Sequence, residues 1–368
     1  MIPIVRRFIS GDLSKFLITL IGVGLTVALV LFLLAVYQGI KEAAVVYIER
    51  SPAEVWVSQK NANNLLKVSS FLRADMQREL AATQDVREVS GILKVLSATT
   101  IRGSSITMVL IGFEPQSEMG IPRTIIAGTS RIHNGEIILD SAFSKRHKIQ
   151  LGDKLRIRDT DFLVRGICDK TNATIAQFSF ITLSDARDLI GVDGIVSFFL
   201  VGFNHGTPGQ NAAVLGEKFP NVSVFAKPAF INNNIVELNT GLLPVVRTIS
   251  IFGTIISAVV ITLMMYGSVV EKRELYAIMK AIGASTWFLV GLVVKQALFA
   301  SVGGALLGLC IALSVAPLLS KFVPEVALAF VYEDVLFVLA GSVLIGLVSA
   351  VAPLRSISRI YPAEAFRA

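Results

Sequence analysis

Residues 16–37, FLITLIGVGLTVALVLFLLAVY, run for twenty-two positions without a charged side chain, and fifteen of them are Leu, Ile, Val or Phe. At about 1.5 Å per residue such a helix measures about 33 Å, enough to cross a hydrocarbon core about 30 Å thick. Each of those fifteen side chains contributes roughly −0.3 to −0.6 kcal/mol to insertion near the helix centre. Nothing charged opposes that sum, so the stretch predicts a membrane span. It is longer than the apolar core of about 7–15 residues in a secretory signal. Its exit, AVYQGIKE, has no A-x-A cleavage pattern, so it reads as a retained anchor.

Working outward, three more apolar runs crowd the C-terminal third: 249–270, 287–319 (with Lys295 near its start and Pro317 near its end) and 335–354. Between the first and second spans lie the mostly polar residues 38–245. The predicted fold is a membrane protein with four transmembrane α-helices, one plus three, and a mixed α/β extracytoplasmic domain inserted between helices 1 and 2. Composition agrees: of 368 residues 53% are hydrophobic and only 17% charged, against about 25% charged in soluble domains. That excludes an ordinary soluble enzyme and a disordered or fibrous chain.

The net charge of +7 has a membrane explanation, because Lys and Arg collect on cytoplasmic flanks. No basic stretch is interleaved with aromatics, so no nucleic-acid partner is expected. Arg6, Arg7 and Lys15 precede the first span, Lys272, Arg273 and Lys280 lie between spans two and three, and Arg355, Arg359 and Arg367 occupy the tail. The loop between spans three and four holds Lys321 against Glu325, Glu333 and Asp334. This bias predicts a multi-pass protein of the cell (inner) membrane with both termini and the 271–286 loop cytoplasmic, and residues 38–245 outside.

Within 38–245, strands are expected at 54–59, 105–113, 136–140, 154–158, 162–168, 177–183, 195–203 and 222–226, and helices at 71–82 and 184–190. Gly152-Asp153 is a hairpin signal, and Ser184 a candidate N-cap. Catalytic patterns are scarce. His133, His147 and His205 lack zinc spacing, and no G-x-S-x-G or S-x-x-K occurs. Asp140, Ser141 and His147 lie close in sequence, yet Lys145, Arg146 and Lys148 mark that stretch as a solvated loop. Cys168 and Cys310 fall in polar and apolar surroundings, respectively, so neither a disulfide nor a metal site is expected. A binding or gating domain is predicted, not an enzyme.

In the loop EKRELYAIMKAIGAST (271–286), Leu275, Ile278, Met279 and Ile282 recur at i, i+3, i+4 and i+7, giving an apolar stripe on a short helix. Glu271, Lys272, Arg273, Glu274 and Lys280 surround it, and Gly283 follows where a C-cap belongs. Periodicity alone fits a helix on the bilayer surface as well as one docked into a partner's groove.

This loop resembles the signature loop of the FtsX-like, MacB-like (type VII) permease family of ABC transporters, with its charged E-x-R-E start, aliphatic face and K/R-A-x-G-A end. The span order, the stretch GEIILD…LGDKLRI…FLVRGIC (135–168) and the tail YPAEAFRA are similar to that family too. The resemblance implies a non-catalytic transmembrane subunit of an export or mechanotransmission complex, working as a homodimer above an ABC ATPase subunit dimer that carries the ATP and magnesium. It implies that Glu271, Arg273, Glu274, Leu275, Ile278, Met279, Ile282 and Gly283 form the coupling helix. The chain has no G-x-x-x-x-G-K-[ST] and so no phosphate-cradling loop of its own. In layout it is closest to DevC-type and haem-exporter HrtB-type permeases. The resemblance leaves open a membrane-fusion protein as a further partner. The substrate it implies is hydrophobic or amphipathic, met at the outer leaflet or outside the membrane. Its alternative is an FtsX-type signalling scaffold regulating an extracytoplasmic hydrolase. A haem route would use Tyr37, Glu42 and Tyr47, although aromatics there also serve as interfacial anchors.

Two features complete the reading. Gly304-x-x-x-Gly308 and Ser342-x-x-x-Gly346-x-x-x-Ala350 put small residues on one helix face, and packing between spans three and four is expected there. Residues 1–15 form a cytoplasmic amphipathic segment and 355–368 a cytoplasmic tail. Lys295 reads as a snorkelling lysine or a member of a polar network.

Overall fold

The computed structural model describes residues 13–349 except 102, 172–176, 242, 272 and 325. The expected N-terminal amphipathic segment (all but its last three residues), the tail, and the last five residues of the 335–354 run lie outside the described residues. The chain divides into two compact units, one comprising residues 39–243 and 320–327 and the other the remaining helical segments.

Among the described residues the inserted unit has twelve strands: β1 Val55–Gln59, β2 Leu72–Arg73, β3 Val86–Ile101, β4 Ser104–Phe113, β5 Ile125–Gly128, β6 Glu136–Asp140, β7 Lys154–Ile157, β8 Thr160–Cys168, β9 Phe178–Thr182, β10 Ile195–Val196, β11 Phe198–Phe203 and β12 Val222–Ala226. Ten form one mixed sheet in the order β12-β1-β11-β3-β4-β9-β6-β8-β5, with β7 pairing β3 and β8. The β4–β9 and β6–β8 pairs are parallel, while β3–β4 is a long antiparallel hairpin.

Both faces of this sheet are buried, which explains the near-continuous apolar runs of its strands. Alternation sorts them. Val57, Leu93, Leu110, Leu139, Ile181 and Phe199 face one core, joined by Leu80, Phe143, Ala186 and Leu215 from covering helices. Trp56, Ile92, Ile111, Ile138, Phe180 and Phe198 face the other, joined by Tyr47, Ile48, Leu65 and Phe230. Trp56 stacks on Phe230 with ring centroids 4.9 Å apart, a geometry that aromatic quadrupoles favour.

The largest departure from expectation is β3, sixteen residues long and central to the sheet. Its sequence, VREVSGILKVLSATTI, breaks its apolar pattern with Arg87, Glu88, Ser90, Gly91 and Lys94. Lys94 is accommodated because its Nζ donates to the carbonyls of Leu65, Leu66 and Val68 at 2.7, 3.2 and 3.1 Å. The expected strand 195–203 divides into β10 and β11. The expected helix 71–82 shortens to Met76–Ala81, preceded by β2. Gly152-Asp153 is not the hairpin turn; β7 and β8 meet at Ile157↔Thr160, around Arg158-Asp159. Helix Leu183–Ile190 is capped by Thr182, whose Oγ1 accepts from the Asp185 amide at 3.1 Å, and not by Ser184. A helix at Pro208–Lys218 was signalled in sequence by the capping box Thr207…Gln210.

Among the described residues four helices are long and apolar enough to cross a membrane: Leu13–Arg50, Leu243–Glu271, Thr286–Phe322 and Tyr332–Ser349. The first extends well beyond its apolar run, and its last turns, with Tyr47 and Ile48, belong to the inserted unit's core. Helix Arg273–Ala281 precedes the third span.

Gly304 and Gly308 correct the expected pairing of spans three and four. A Cβ on Gly304 would overlap Val23 Cγ1, and one on Gly308 would stand 2.6 Å from the Gly24 carbonyl oxygen, so these glycines seat the first span and not the fourth. The signal on the partner side was Gly24-x-x-x-Ala28. Gly346 does face the third span, where its Cβ would overlap Ser301 Oγ. Ser342 is buried, with its Oγ donating to the Leu339 carbonyl at 2.8 Å.

Candidate functional site

The short helix before the third span is bounded by hydrogen bonds that set its position. At its C-terminal end the Gly283 amide donates to the Lys280 carbonyl at 3.1 Å and the Ala284 amide to the Met279 carbonyl at 2.9 Å. This is the paired 5→2 and 6→1 pattern of a Schellman stop. Gly283 has φ +98°, a region where a Cβ would crowd the neighbouring carbonyl. Ser285 then opens the third span, its Oγ accepting from the Phe288 amide at 3.2 Å. Helix stop and helix start are thus separated by a few tightly bonded residues.

Its faces differ in burial. Tyr276 and Ala277 are 0% and 1% exposed and share a core with Leu289, Leu292 and Val293 of the third span. Met279 and Ala284 pack at the edge of that core. Burial pushes the Tyr276 hydroxyl up to about 12, so it stays neutral across physiological pH. Leu275 and Ile278 are each 43% exposed, and Ile282 is 80% exposed; Trp287, the second residue of the third span, is 84% exposed. Glu271 and Glu274 are exposed beside them.

The four-residue stripe is therefore split. Leu275, Ile278 and Ile282 form an exposed apolar face, Met279 turns partly inward, and Tyr276, which the periodicity did not single out, anchors the helix. Arg273 is the first described residue of this helix, and Lys272 lies outside the described residues. Exposed aliphatic residues rimmed by carboxylates make a surface suited to a complementary groove.

The residues weighed for other chemistry have structural duties. Asp140 caps helix Ser141–His147, its Oδ1 accepting from the Ala142 amide at 2.8 Å, and its Oδ2 accepts from Thr171 Oγ1 at 2.7 Å. Ser141 Oγ donates to Asp169 at 3.0 Å, and His147 packs on the Phe143 ring at 4.6 Å. No triad is assembled from them, and the expected solvated loop is a capped helix. Burial raises the Asp140 carboxyl and the Cys168 thiol above their ordinary ranges. Cys168 and Cys310 are free thiols. Tyr47 is buried, donating its hydroxyl to the Gly120 carbonyl at 3.0 Å, which removes it from a haem route. Lys295 is exposed on the third span, as a snorkelling side chain would be. Among the described residues no group of three or more His, Cys, Asp or Glu could hold a metal.

Comparison with known proteins fits this architecture. Residues 16–219 match the MacB-like periplasmic core domain and residues 247–362 the FtsX-like permease C-terminal domain. An ABC transporter permease of Mycobacterium tuberculosis is 24% identical over 365 residues, covering 96% of this chain and 95% of its own. One from Methanocaldococcus jannaschii is 26% identical over 233 residues, 60% of this chain and 58% of its own. Among solved structures, the periplasmic region of MacB from Actinobacillus actinomycetemcomitans aligns with a TM-score of 0.39 and 12% identity, covering 48% of this chain and 89% of its own. The four apolar helices and the inserted α/β unit define a membrane-embedded permease subunit. The chain belongs to the FtsX-like, MacB-like family of ABC transporter permeases.

Proposed function

We propose that this chain is the non-catalytic transmembrane subunit of an ABC export or mechanotransmission complex, with two copies working above a separate ATPase dimer. In this reading both termini are cytoplasmic, and Glu271, Arg273, Glu274, Leu275, Ile278, Met279, Ile282 and Gly283 form the surface on which the ATPase pushes. The substrate is hydrophobic or amphipathic and is met at the outer leaflet or beyond it.

One observation carries this reading: the short helix is anchored by Tyr276 and Ala277 yet leaves Leu275, Ile278 and Ile282 exposed. A helix riding on lipid alone would need no such anchored inner face and no paired stop at Gly283. Push on it would pass to the third span through Leu289 and Leu292, and from there to Gly24 of the first span. That first helix supplies Val23, Val27 and Leu31 to one core and Tyr47 and Ile48 to another, without a break.

The test is ATP hydrolysis by the cognate ATPase with the full chain in nanodiscs. Wild type should raise the rate. Glu274→Arg combined with Ile278→Asp should abolish that rise while leaving the chain's own unfolding temperature unchanged. Full stimulation and binding by the double variant would overturn the assignment.

A further inference from the structure

The first, second and fourth spans enclose a groove of about 420 Å³, within the ~300–1,000 Å³ range of pockets that take small molecules. Along the first span it reaches from Thr26 to Tyr37, which at about 1.5 Å per residue is about 16 Å, the depth of one bilayer leaflet. That leaflet is the one nearer the inserted unit in the chain, since the first helix passes into that unit at Gly39 and the second span begins just after it, at Pro244.

The wall is apolar in effect as well as in composition. Of the hydroxyl groups that line it, those of Thr26, Ser250, Thr254 and Ser342 are each occupied by their own helix. Thr26 donates to the Val23 carbonyl at 2.8 Å, Ser250 to Val246 at 2.9 Å, Thr254 to Ser250 at 2.9 Å and Ser342 to Leu339 at 2.8 Å. A polar solute would find few free partners along this length. Among the described residues Arg247 is the one charged side chain lining the groove, and it lies in the first turns of helix Leu243–Glu271, at the same end as Tyr37. An apolar trough one leaflet deep, with a guanidinium at its mouth, has the shape and charge of an acyl chain ending in an anionic headgroup.

We propose that this groove holds one acyl chain of an anionic phospholipid-like amphiphile, with the headgroup phosphate against Arg247. The inference rests on the reading of these helices as membrane spans and deepens the proposed substrate class. It does not depend on the ATPase.

The full chain in phosphatidylcholine nanodiscs would receive a trace of phosphatidylglycerol or of phosphatidylcholine, each with a photoactivatable acyl chain, and adducts would be mapped by mass spectrometry. Phosphatidylglycerol should label Thr254 and Ile345 with about a tenfold preference, because the choline cation of phosphatidylcholine offsets the phosphate charge that Arg247 attracts, whereas phosphatidylglycerol keeps its net negative charge. Arg247→Gln should remove the preference. Gly341→Leu should block labelling, since a Cβ at Gly341 meets nothing within 4 Å and the longer side chain can grow into the groove without strain. Equal labelling by both lipids, labelling unaffected by Gly341→Leu, or adducts replaced by cross-links to a second copy would each overturn the proposal. Failure here with intact ATPase coupling would leave the permease reading standing, and the converse also holds.

Discussion

The backbones of Gly308 and Gly24 approach so closely that a Cβ on Gly308 would stand 2.6 Å from the Gly24 carbonyl oxygen. The third span therefore meets the first backbone to backbone. Gly308→Val should force the two helices apart and lower stability by about 1–3 kcal/mol, the usual cost of overpacking. Gly291→Ala, where a Cβ meets nothing within 4 Å, should be neutral or slightly stabilising. Thermal unfolding of the full chain in detergent distinguishes the two, and equal effects would refute the close seam.

The two faces of the short helix should separate stability from coupling. Tyr276→Ala removes a fully buried ring, and a loss of about 3–5 kcal/mol is expected by analogy with other aromatic truncations. Leu275→Ala and Ile278→Ala remove half-exposed side chains and should each cost less than about 1 kcal/mol, in line with the small effects of surface changes. Stimulation of the ATPase should nonetheless fall in both. Unfolding midpoints measured beside ATPase rates check the pair, and reversed behaviour would mean that the wrong face was assigned.

Lys94 yields a pH prediction. Burial pushes its amino group down to about 8 from 10.5, outweighing the three carbonyls it bonds. Between those values the unfolded chain binds more protons than the folded one, so this residue makes stability rise with pH from about 8 to 10.5. Below about 8 its penalty is constant. The unfolding-temperature difference between wild type and Lys94→Met should therefore vary with pH in that window and stay flat below it. A difference independent of pH would show that Lys94 keeps its ordinary affinity for protons.

The cap at Thr182 is equally specific. Thr182→Ala should destabilise the chain by about 0.5–2 kcal/mol, the range for lost N-caps, because its Oγ1 also donates to Asn134 Oδ1 at 2.8 Å. Ser184→Ala should change little. A larger effect at Ser184 in thermal unfolding would restore it as the cap.

Much of the fold was legible in advance. The apolar runs announced four spans because insertion energy adds residue by residue and needs no partner. Strands such as Glu136–Asp140 and Val222–Ala226 were found where expected, being short apolar stretches ended by Asp, Ala or a turn. Strand β3 escaped because its charged and small residues are satisfied by groups distant in sequence: Lys94 by carbonyls of 65–68, and Gly91 by close approach of Val196, whose Cγ1 would stand 2.8 Å from a Cβ there. The helix stop at Gly283 was readable because capping is local. The anchoring role of Tyr276 was not, because its burial depends on Leu289, Leu292 and Val293 across a turn.

Local composition and period alone established that the chain crosses a membrane, carries an inserted α/β unit and presents a short amphipathic helix between its second and third spans. Those properties are sums over neighbouring residues. Only the tertiary structure decided which side of that helix is buried, that Gly304 and Gly308 seat the first span, and that three spans leave a groove with Arg247 at its mouth. Each of these depends on which helix lies opposite which, and a one-dimensional pattern of small or apolar residues is satisfied equally well by several partners.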